Sequence, residues 1–245
     1  MRRVELRREQ VFRGDVLLVN AAHPLQGEAP RRLAPPSDAF PDILMENRAA
    51  ALLAACVAAA GGAGRIRPVS GWRSRAEQQK LWDDSMAEHG EAFTRSYVAR
   101  PGCSEHETGL AIDLGKTGGA LDFIRPAFPY DGACGAFRRL AAGYGFIERY
   151  QKGKETLTGI AAEPWHFRYV GAPHALLLLQ NGLCLEEYAD FLRTGPKSCT
   201  LPGGRAARVF YIPCEGETAL AELPDGCCQL SGDNVGGLIA TVWGE

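Results

Sequence analysis

The sequence predicts an α+β fold, with a small, mostly antiparallel sheet flanked by helices and a small β unit appended at the C-terminus. Three observations support this class. Apolar residues recur at helical spacing between residues 42 and 60, and they alternate with a period of two over residues 109–114. After Gly195-Pro196 the chain changes to short apolar runs broken by Gly, Pro and Asp. We therefore expect a main domain over residues 1–195 and a small β unit, with no assigned role, over residues 196–245.

The first half of the chain alternates predicted strands, loops and helices. Short apolar runs predict strands at residues 11–19 and 66–70. A proline-rich stretch over residues 21–41 predicts a surface loop, and helical spacing from Asp42 predicts a helix that ends at Gly61-Gly62. The next helix begins after Ser74, because Glu77 follows it at capping-box spacing. This helix is expected to continue to about Glu88.

The second half contains a predicted mixed loop over residues 90–108 and then the strand at residues 109–114. In that strand the apolar residues Leu110, Ile112 and Leu114 alternate with small or polar ones. The remaining predicted elements are a helix at 133–144, strands at 146–150 and 165–170 separated by a turn at 152–154, helices at 173–181 and 185–193, and short β runs between 205 and 245.

Composition and charge exclude several classes of function. The chain carries 27 basic and 29 acidic residues, so its net charge is −2 and it has no basic stripe of the kind that nucleic-acid binding requires. Its longest apolar stretch, residues 49–60, is shorter than the roughly 20 residues of a membrane span. The charged N-terminus has no apolar segment typical of a signal peptide. We therefore expect a cytoplasmic protein without a membrane span, the alternative being an exported or anchored protein that has lost an N-terminal leader.

The cysteines are compatible with two interpretations. Eight are present, but no Cys-x-x-Cys pair occurs. This pattern favours free thiols in a reducing compartment. An exported protein with some disulfide bridges is the alternative.

Two of the five histidines, each with a carboxylate nearby, are candidate metal ligands. His106 is followed by Asp113, and His166 is preceded by Glu163. A catalytic zinc site needs three nitrogen or oxygen ligands with one open position, and a carboxylate outside the ligand set to accept a proton from water. His106, Asp113 and His166 could supply the ligands and Glu163 the base. From spacing alone, ordinary core or surface roles for these residues are the simpler interpretation.

Such a site would require irregular backbone near Pro164. Glu163 and His166 are three residues apart, so a regular strand would point them to opposite faces. Pro164 cannot donate a ladder hydrogen bond and therefore predicts an edge, bulge or bend. On the other strand, Asp113 would share a face with Ala111, whose small side chain would leave room for a metal ion and a substrate.

Five segments together resemble a known family. They are residues 70–74 (SGWRS), 101–113 (PGCSEHETGLAID), 144–150 (YGFIERY), 158–160 (TGI) and 163–171 (EPWHFRYVG). In this order they are similar to the bacterial zinc D-alanyl-D-alanine carboxypeptidases and dipeptidases, the VanY-type peptidases linked to glycopeptide (vancomycin) resistance. The resemblance runs from about residue 11 to about residue 180. Two departures are Trp72, where the family often has Tyr, and Gln151, where Pro is common.

The resemblance implies a site and a reaction. It implies one Zn²⁺ per chain on His106, Asp113 and His166, Glu163 as the catalytic base, and Arg73 at the scissile carbonyl. Residues 1–195 would then form a zinc D,D-peptidase domain. The expected reaction is hydrolysis of the D-Ala-D-Ala terminus of peptidoglycan precursors or of the free dipeptide.

The substrate would be a small peptide ending in D-Ala-D-Ala, bound in a small pocket near Ala111. Ser104 and Gln78 are the expected polar contacts. Loops at residues 83–100 or 115–132 are expected to decide between dipeptidase and carboxypeptidase activity by closing the cleft.

Two alternatives to this function are an L,D-carboxypeptidase of cell-wall peptides and a non-catalytic zinc-binding module that recognises such peptides. Glu163 argues against the second, because a binding module needs no general base.

Overall fold

Twelve strands and seven α-helices make up the part of the chain that the computed structural model describes, residues 1–27, 32–119 and 121–244. The strands are β1 (Arg2–Arg7), β2 (Leu33–Ala34), β3 (Met45–Glu46), β4 (Ile66–Ser70), β5 (Ala111–Lys116), β6 (Phe146–Tyr150), β7 (Glu163–Tyr169), β8 (Lys197–Thr200), β9 (Ala206–Pro213), β10 (Thr218–Leu223), β11 (Cys228–Gly232) and β12 (Gly237–Trp243). The helices are α1 (Asn47–Ala59), α2 (Arg75–His89), α3 (Glu91–Tyr97), α4 (Gly132–Ala141), α5 (Glu155–Thr158), α6 (Ala172–Asn181) and α7 (Leu185–Arg193). Small antiparallel sheets combined with helices confirm the α+β class.

The central sheet is antiparallel, with the strand order β4-β5-β7-β6. One face packs against α1 and α4, where Ile112 of β5 and Phe167 of β7 join Leu53 and Phe137 of the helices in one hydrophobic cluster. Because side chains alternate along a strand, the residues between these apolar positions point to the opposite face. Asp113 is one of these residues, and it lies on the face that carries the polar cleft.

A second four-stranded sheet, in the order β11-β12-β9-β8, lies in the C-terminal part of the chain. Helices α6 and α7 share a buried cluster with it, in which Leu178 and Tyr188 join Val209 and Ile239. Strand β1 pairs with β10, so the first residues of the chain lie in the C-terminal part of the molecule. The predicted division at residue 195 stays a prediction.

The strand predicted at residues 11–19 is wrong. A 3₁₀ turn occupies Arg8–Phe12, and residues 13–19 follow as irregular backbone although Val16 and Val19 are buried. The hydrogen bonds of this segment go to side chains, to the end of β11 and to the turn after it, without a continuous strand ladder: Gly232 donates its backbone N–H to Arg13, and Leu18 donates to Asp233. Val16 donates to the hydroxyl of Ser231, and the carbonyls of Asp15 and Leu17 accept from the guanidinium of Arg168.

The loop predicted at residues 90–108 contains two helical elements that the sequence analysis missed. Helix α3 follows directly after Gly90, whose positive φ of 79° separates it from α2, and a 3₁₀ turn spans Glu105–Thr108. The helix predicted from Asp42 begins at Asn47, because Met45–Glu46 pair with Leu33–Ala34.

The strand predicted at 109–114 is displaced by two residues. It begins at Ala111, because Gly109 ends the 3₁₀ turn in a left-handed conformation. The other predicted strands, helices and the turn at 152–154 agree with the structure to within a few residues. Parts of the predicted loops at 21–41 and 115–132, residues 28–31 and 120, lie outside the described residues.

Within the described ranges, no helix is both long and apolar enough to cross a membrane. All eight cysteines, each inside those ranges, carry free thiols.

Candidate active site

Three side chains from two strands and a turn converge on the polar face of the central sheet. Asp113 on β5 lies directly opposite His166 on β7 in the strand register, so the two side chains share one face. His106 reaches the same point from the preceding 3₁₀ turn. All three are buried, and one potential ligand atom from each lies within 4.8 Å of those of the other two.

The ring of His106 is held by the backbone of an adjacent segment. Its Nδ1 lies 2.7 Å from the carbonyl oxygen of Gly71, which accepts the Nδ1–H and leaves Nε2 free, 3.2 Å from an oxygen of Asp113. Position 71 must be glycine for a different reason: a Cβ there would lie only 2.2 Å from the carbonyl oxygen of Leu44.

His166 lies between two carboxylates. Its Nδ1 is 2.9 Å from Asp113, and its Nε2 is 3.3 Å from Glu105. Two imidazoles and one carboxylate are the donor types found in catalytic zinc sites, so the residues present fit a zinc ion.

Glu163 points to the same face of the central sheet as Asp113 and His166, because β7 is irregular, as Pro164 predicted. Tyr150 of β6 pairs with Glu163 and Glu148 pairs with Phe167, so two steps along β6 correspond to four along β7. These extra residues form a bulge that turns Glu163 and His166 to the same side. An oxygen of Glu163 lies 3.7 Å from Nδ1 of His166, next to the three-residue cluster.

The protonation preferences of these groups follow from burial and from the charges beside them. Burial raises the pKa of Glu163 to about 8, although His166 opposes the shift. Burial alone would lower the pKa of His166, but its hydrogen bonds to Asp113 and Glu105 raise it to about 10. For Asp113 burial is likewise outweighed, and the attraction of His106 and His166 lowers its pKa well below the ordinary value.

Arg73 borders the same cleft and is fixed by three hydrogen bonds. Its guanidinium donates to Ser70 and to Gln78, both at 2.7 Å, and its backbone N–H donates to the carbonyl of His106. Gln78 is itself held, since its amide donates to the carbonyl of Ala99. The structure therefore brings Gln78 into contact with Arg73, a contact the sequence analysis did not anticipate.

The cleft above these residues has a volume of about 420 Å³. Ser104 and Gln78 lie in its wall with Arg73 and Glu163. The loop predicted at 83–100 is wrong, because α2 continues to His89 and Glu91–Tyr97 form α3, from which Tyr97 joins the wall. Phe123 joins the wall from the predicted loop at 115–132. The small pocket expected beside Ala111 is not part of this wall among the described residues. Ala111 is fully buried opposite Arg168, which takes up the space on that side of β5.

The sequence analysis missed a buried ionic cluster beneath the site. Glu105 is completely buried and accepts hydrogen bonds from Arg149 at 2.7 Å and from Arg168 at 2.9 Å. Its position directly before His106 is the one local signal, but an acidic residue in a turn usually faces solvent. Only the folded chain shows that two distant arginines meet it.

Known proteins are similar to this chain in sequence and in fold. A bifunctional D-Ala-D-Ala dipeptidase and carboxypeptidase of Enterococcus gallinarum, VanXYC, is 44% identical over 179 residues, covering 71% of this chain and 93% of its own. The crystal structure of the vancomycin-resistance D,D-dipeptidase VanXYg, in complex with a D-Ala-D-Ala phosphinate analogue, superposes with a TM-score of 0.95. It is 42% identical, and the match covers 99% of each chain.

A variant of the vancomycin-resistance D,D-pentapeptidase VanY, solved in complex with Zn(II), superposes with a TM-score of 0.59 at 30% identity. The match covers 71% of this chain and 98% of that one. The family model for VanY, D-alanyl-D-alanine carboxypeptidase, matches residues 42–172, which include every residue of the candidate site. The chain therefore belongs to the VanY family of D-alanyl-D-alanine carboxypeptidases.

Proposed function

We propose that this chain is a zinc metallopeptidase that hydrolyses the D-Ala-D-Ala terminus of peptidoglycan precursors and the free dipeptide. The observation that carries the proposal is the cluster of His106, Asp113 and His166 in a cleft, with the carboxylate of Glu163 beside it. The D-Ala-D-Ala dipeptidase and carboxypeptidase activities of the relative VanXYC and the D,D-dipeptidase activity of VanXYg support the same substrate. One Zn²⁺ per chain would be held by the two imidazoles and the carboxylate.

A zinc ion bound here would polarise the scissile carbonyl and make the attacking water more acidic. Glu163 accepts the proton that leaves this water and delivers it to the amine of the leaving D-Ala as the C–N bond breaks. Its burial suits the second step, because a carboxyl group with a raised pKa holds the proton until the leaving amine accepts it.

Arg73 is placed to stabilise the negative oxygen that develops on the attacked carbonyl. Its guanidinium is fixed by Ser70 and Gln78 before substrate arrives, so little reorganisation is needed during the reaction. Ser104, which is buried in the cleft wall, is proposed as a polar contact of the substrate. Gln78 is proposed to contact the substrate as well, with its hydrogen bond to Arg73 retained.

The eight free thiols favour a reducing compartment, and we place the protein in the cytoplasm on this basis.

The experiment that tests the function measures D-Ala release from free D-Ala-D-Ala and from a pentapeptide ending in D-Ala-D-Ala. Turnover of either substrate that stops in chelator and returns with zinc supports the proposal. Glu163→Gln should abolish turnover and retain zinc, because Glu163 is outside the ligand set. Full activity of this variant would refute the base assignment.

A tetrapeptide that lacks the terminal D-Ala belongs in the same panel. Its hydrolysis, without hydrolysis of the D-Ala-D-Ala substrates, would identify an L,D-carboxypeptidase instead. Peptide binding without turnover of any substrate would identify a recognition module.

A further inference from the structure

The carboxylate of Glu105 lies at the centre of a buried group formed by two arginines and one histidine. One oxygen, Oε1, accepts from Nε of Arg149 at 2.7 Å and from Nη1 of Arg168 at 2.9 Å. The other oxygen, Oε2, lies 3.3 Å from Nε2 of His166. The two arginines occupy Oε1, so Oε2 is the oxygen that faces the imidazole.

Both arginines are anchored by the rest of the molecule, which fixes the carboxylate in turn. Arg149 also makes a two-pronged contact with Glu186, at 2.7 and 3.0 Å. Arg168 donates to the carbonyls of Asp15 and Leu17, both at 3.0 Å. Glu105 and both guanidiniums are fully buried, so solvent does not weaken these interactions.

We propose that Glu105 is a positioning residue that selects the metal-binding nitrogen of His166; this rests on the proposed zinc function. An imidazole binds a metal through the nitrogen that carries no proton, and a hydrogen-bond acceptor at the other nitrogen decides which one that is. With Glu105 accepting from Nε2–H, the unprotonated nitrogen is Nδ1. That nitrogen faces Asp113 at 2.9 Å.

The second histidine uses the opposite arrangement. The carbonyl of Gly71 accepts from Nδ1 of His106, so Nε2 of that ring faces Asp113. The two imidazoles therefore offer different nitrogens to the same point, and each is fixed by a different acceptor. Because the two rings offer different nitrogens, a change of the metal-binding nitrogen in His166 can be observed separately from His106.

Glu105→Gln should reverse the preference at His166. The two arginine donors require an oxygen at the Oε1 position, so the amide NH₂ must take the place of Oε2. An NH₂ donor facing Nε2 favours the tautomer that is protonated at Nδ1, the nitrogen needed for the metal. We expect zinc to bind about 10–100-fold more weakly in this variant, the range typical of lost outer partners of metal ligands.

Glu107→Gln is the matched control. Glu107 lies in the same 3₁₀ turn, is also buried, and accepts from the backbone N–H of Gly102 and from Arg75. It makes no hydrogen bond to either histidine within the described residues. Zinc dissociation constants of the wild type and both variants are measured without substrate by competition with a chromophoric chelator, after circular dichroism has compared their folding.

A measurement on the wild type does not depend on either variant folding. NMR of the histidine-labelled protein, loaded with a spin-active cadmium isotope, should show coupling of the metal to Nδ1 of His166 and to Nε2 of His106. Coupling to Nε2 of His166 would overturn the proposal, as would equal zinc affinities of Glu105→Gln and Glu107→Gln. A wild type that binds no zinc would overturn the proposed function as well, whereas a zinc-dependent wild type with an unaffected Glu105→Gln would overturn this inference alone.

Discussion

Arg73 is one of the few cleft residues whose role in binding and in catalysis can be separated by kinetics. A carbonyl oxygen is only partly negative in the substrate and nearly fully charged at the tetrahedral stage, so a fixed guanidinium stabilises the transition state more. We expect Arg73→Ala to lower kcat by about 10²–10³ with little change in KM. Steady-state kinetics on a D-Ala-D-Ala peptide measures both constants. If Arg73 binds the terminal carboxylate instead, KM rises and kcat is nearly unchanged.

Two further variants sharpen this test. Arg73→Lys should restore little activity, because one ammonium group cannot reproduce the two fixed contacts to Ser70 and Gln78. Arg75→Ala removes a neighbouring arginine that points away to Glu107 and should leave kcat near the wild-type value.

The metal ligands can be tested one at a time. His106→Ala removes one of three donors, and metal analysis of the purified variant should show that most of the zinc is lost. Full zinc occupancy in this variant would refute the ligand assignment.

Elements that are specified by residues within a few positions of each other were predictable from the sequence. Elements stabilised by residues far away along the chain were not. The capping box of Ser74 and Glu77 lies within four residues, and the structure has both of its hydrogen bonds. Residues 13–19 have strand-like composition, but their partners are Arg168 and Ser231, more than 150 residues away. No pattern within the segment distinguishes these partners from a neighbouring strand.

The same distinction holds within the site. The bulge in β7 was predictable, because Pro164 and the three-residue spacing of Glu163 and His166 both require it. The buried state of Glu105 was not, since it depends on Arg149 and Arg168, which lie 44 and 63 residues further along the chain.

Helices α6 and α7 meet strand β12 at a buried histidine, which makes their packing sensitive to acid. His174 contacts the hydroxyls of Tyr188 and Thr241, and burial lowers its pKa from 6.5 to about 4. Between these two pH values the unfolded chain binds the proton that the folded chain rejects. The contribution of neutral His174 is therefore fully present above pH 6.5 and is lost as the pH falls toward 4.

His174→Gln should flatten this dependence, because an amide can hydrogen-bond both hydroxyls without titrating. We expect the wild type to lose up to about 3 kcal/mol of unfolding free energy over this range relative to the variant. Urea denaturation at several pH values measures the difference. An equal pH dependence of the unfolding free energy in the wild type and in His174→Gln would contradict the prediction.

At the scale of the whole molecule, chelation should stop turnover without unfolding the chain. Three hydrophobic clusters lie in the structure independently of the metal ligands. The ligands also hold each other, because His106 and His166 both contact Asp113. Circular dichroism in chelator should therefore retain the folded spectrum, and a transition to an unfolded spectrum would show that the metal is structural.

Asn234 is one of several residues that join the C-terminal part of the molecule to the segment that anchors Arg168. Asn234, in the turn between β11 and β12, donates from its amide to the carbonyls of Leu18, His23 and Pro24 at 2.9, 3.2 and 3.1 Å. Its backbone has a φ of 63°, a left-handed conformation that Asn and Gly adopt most easily.

Asn234→Gly keeps this backbone conformation and removes only the amide, so it isolates the contribution of the three contacts. The carbonyl of His23 keeps the backbone N–H of Asn20 as a donor, so the carbonyls of Leu18 and Pro24 are the two that lose their donor within the described residues. A buried carbonyl without a donor costs about 1–3 kcal/mol, and water admitted at the segment would recover part of this. We expect the free energy of unfolding to fall by about 2–4 kcal/mol, measured by urea denaturation. Val235→Ala, at the exposed neighbouring position, should change it by less than about 0.5 kcal/mol. If Asn234→Gly is as stable as Val235→Ala, the amide does not hold the two parts together.

Asn234→Asp extends the test, because a carboxylate facing three carbonyls repels them and should destabilise the fold more than Gly does.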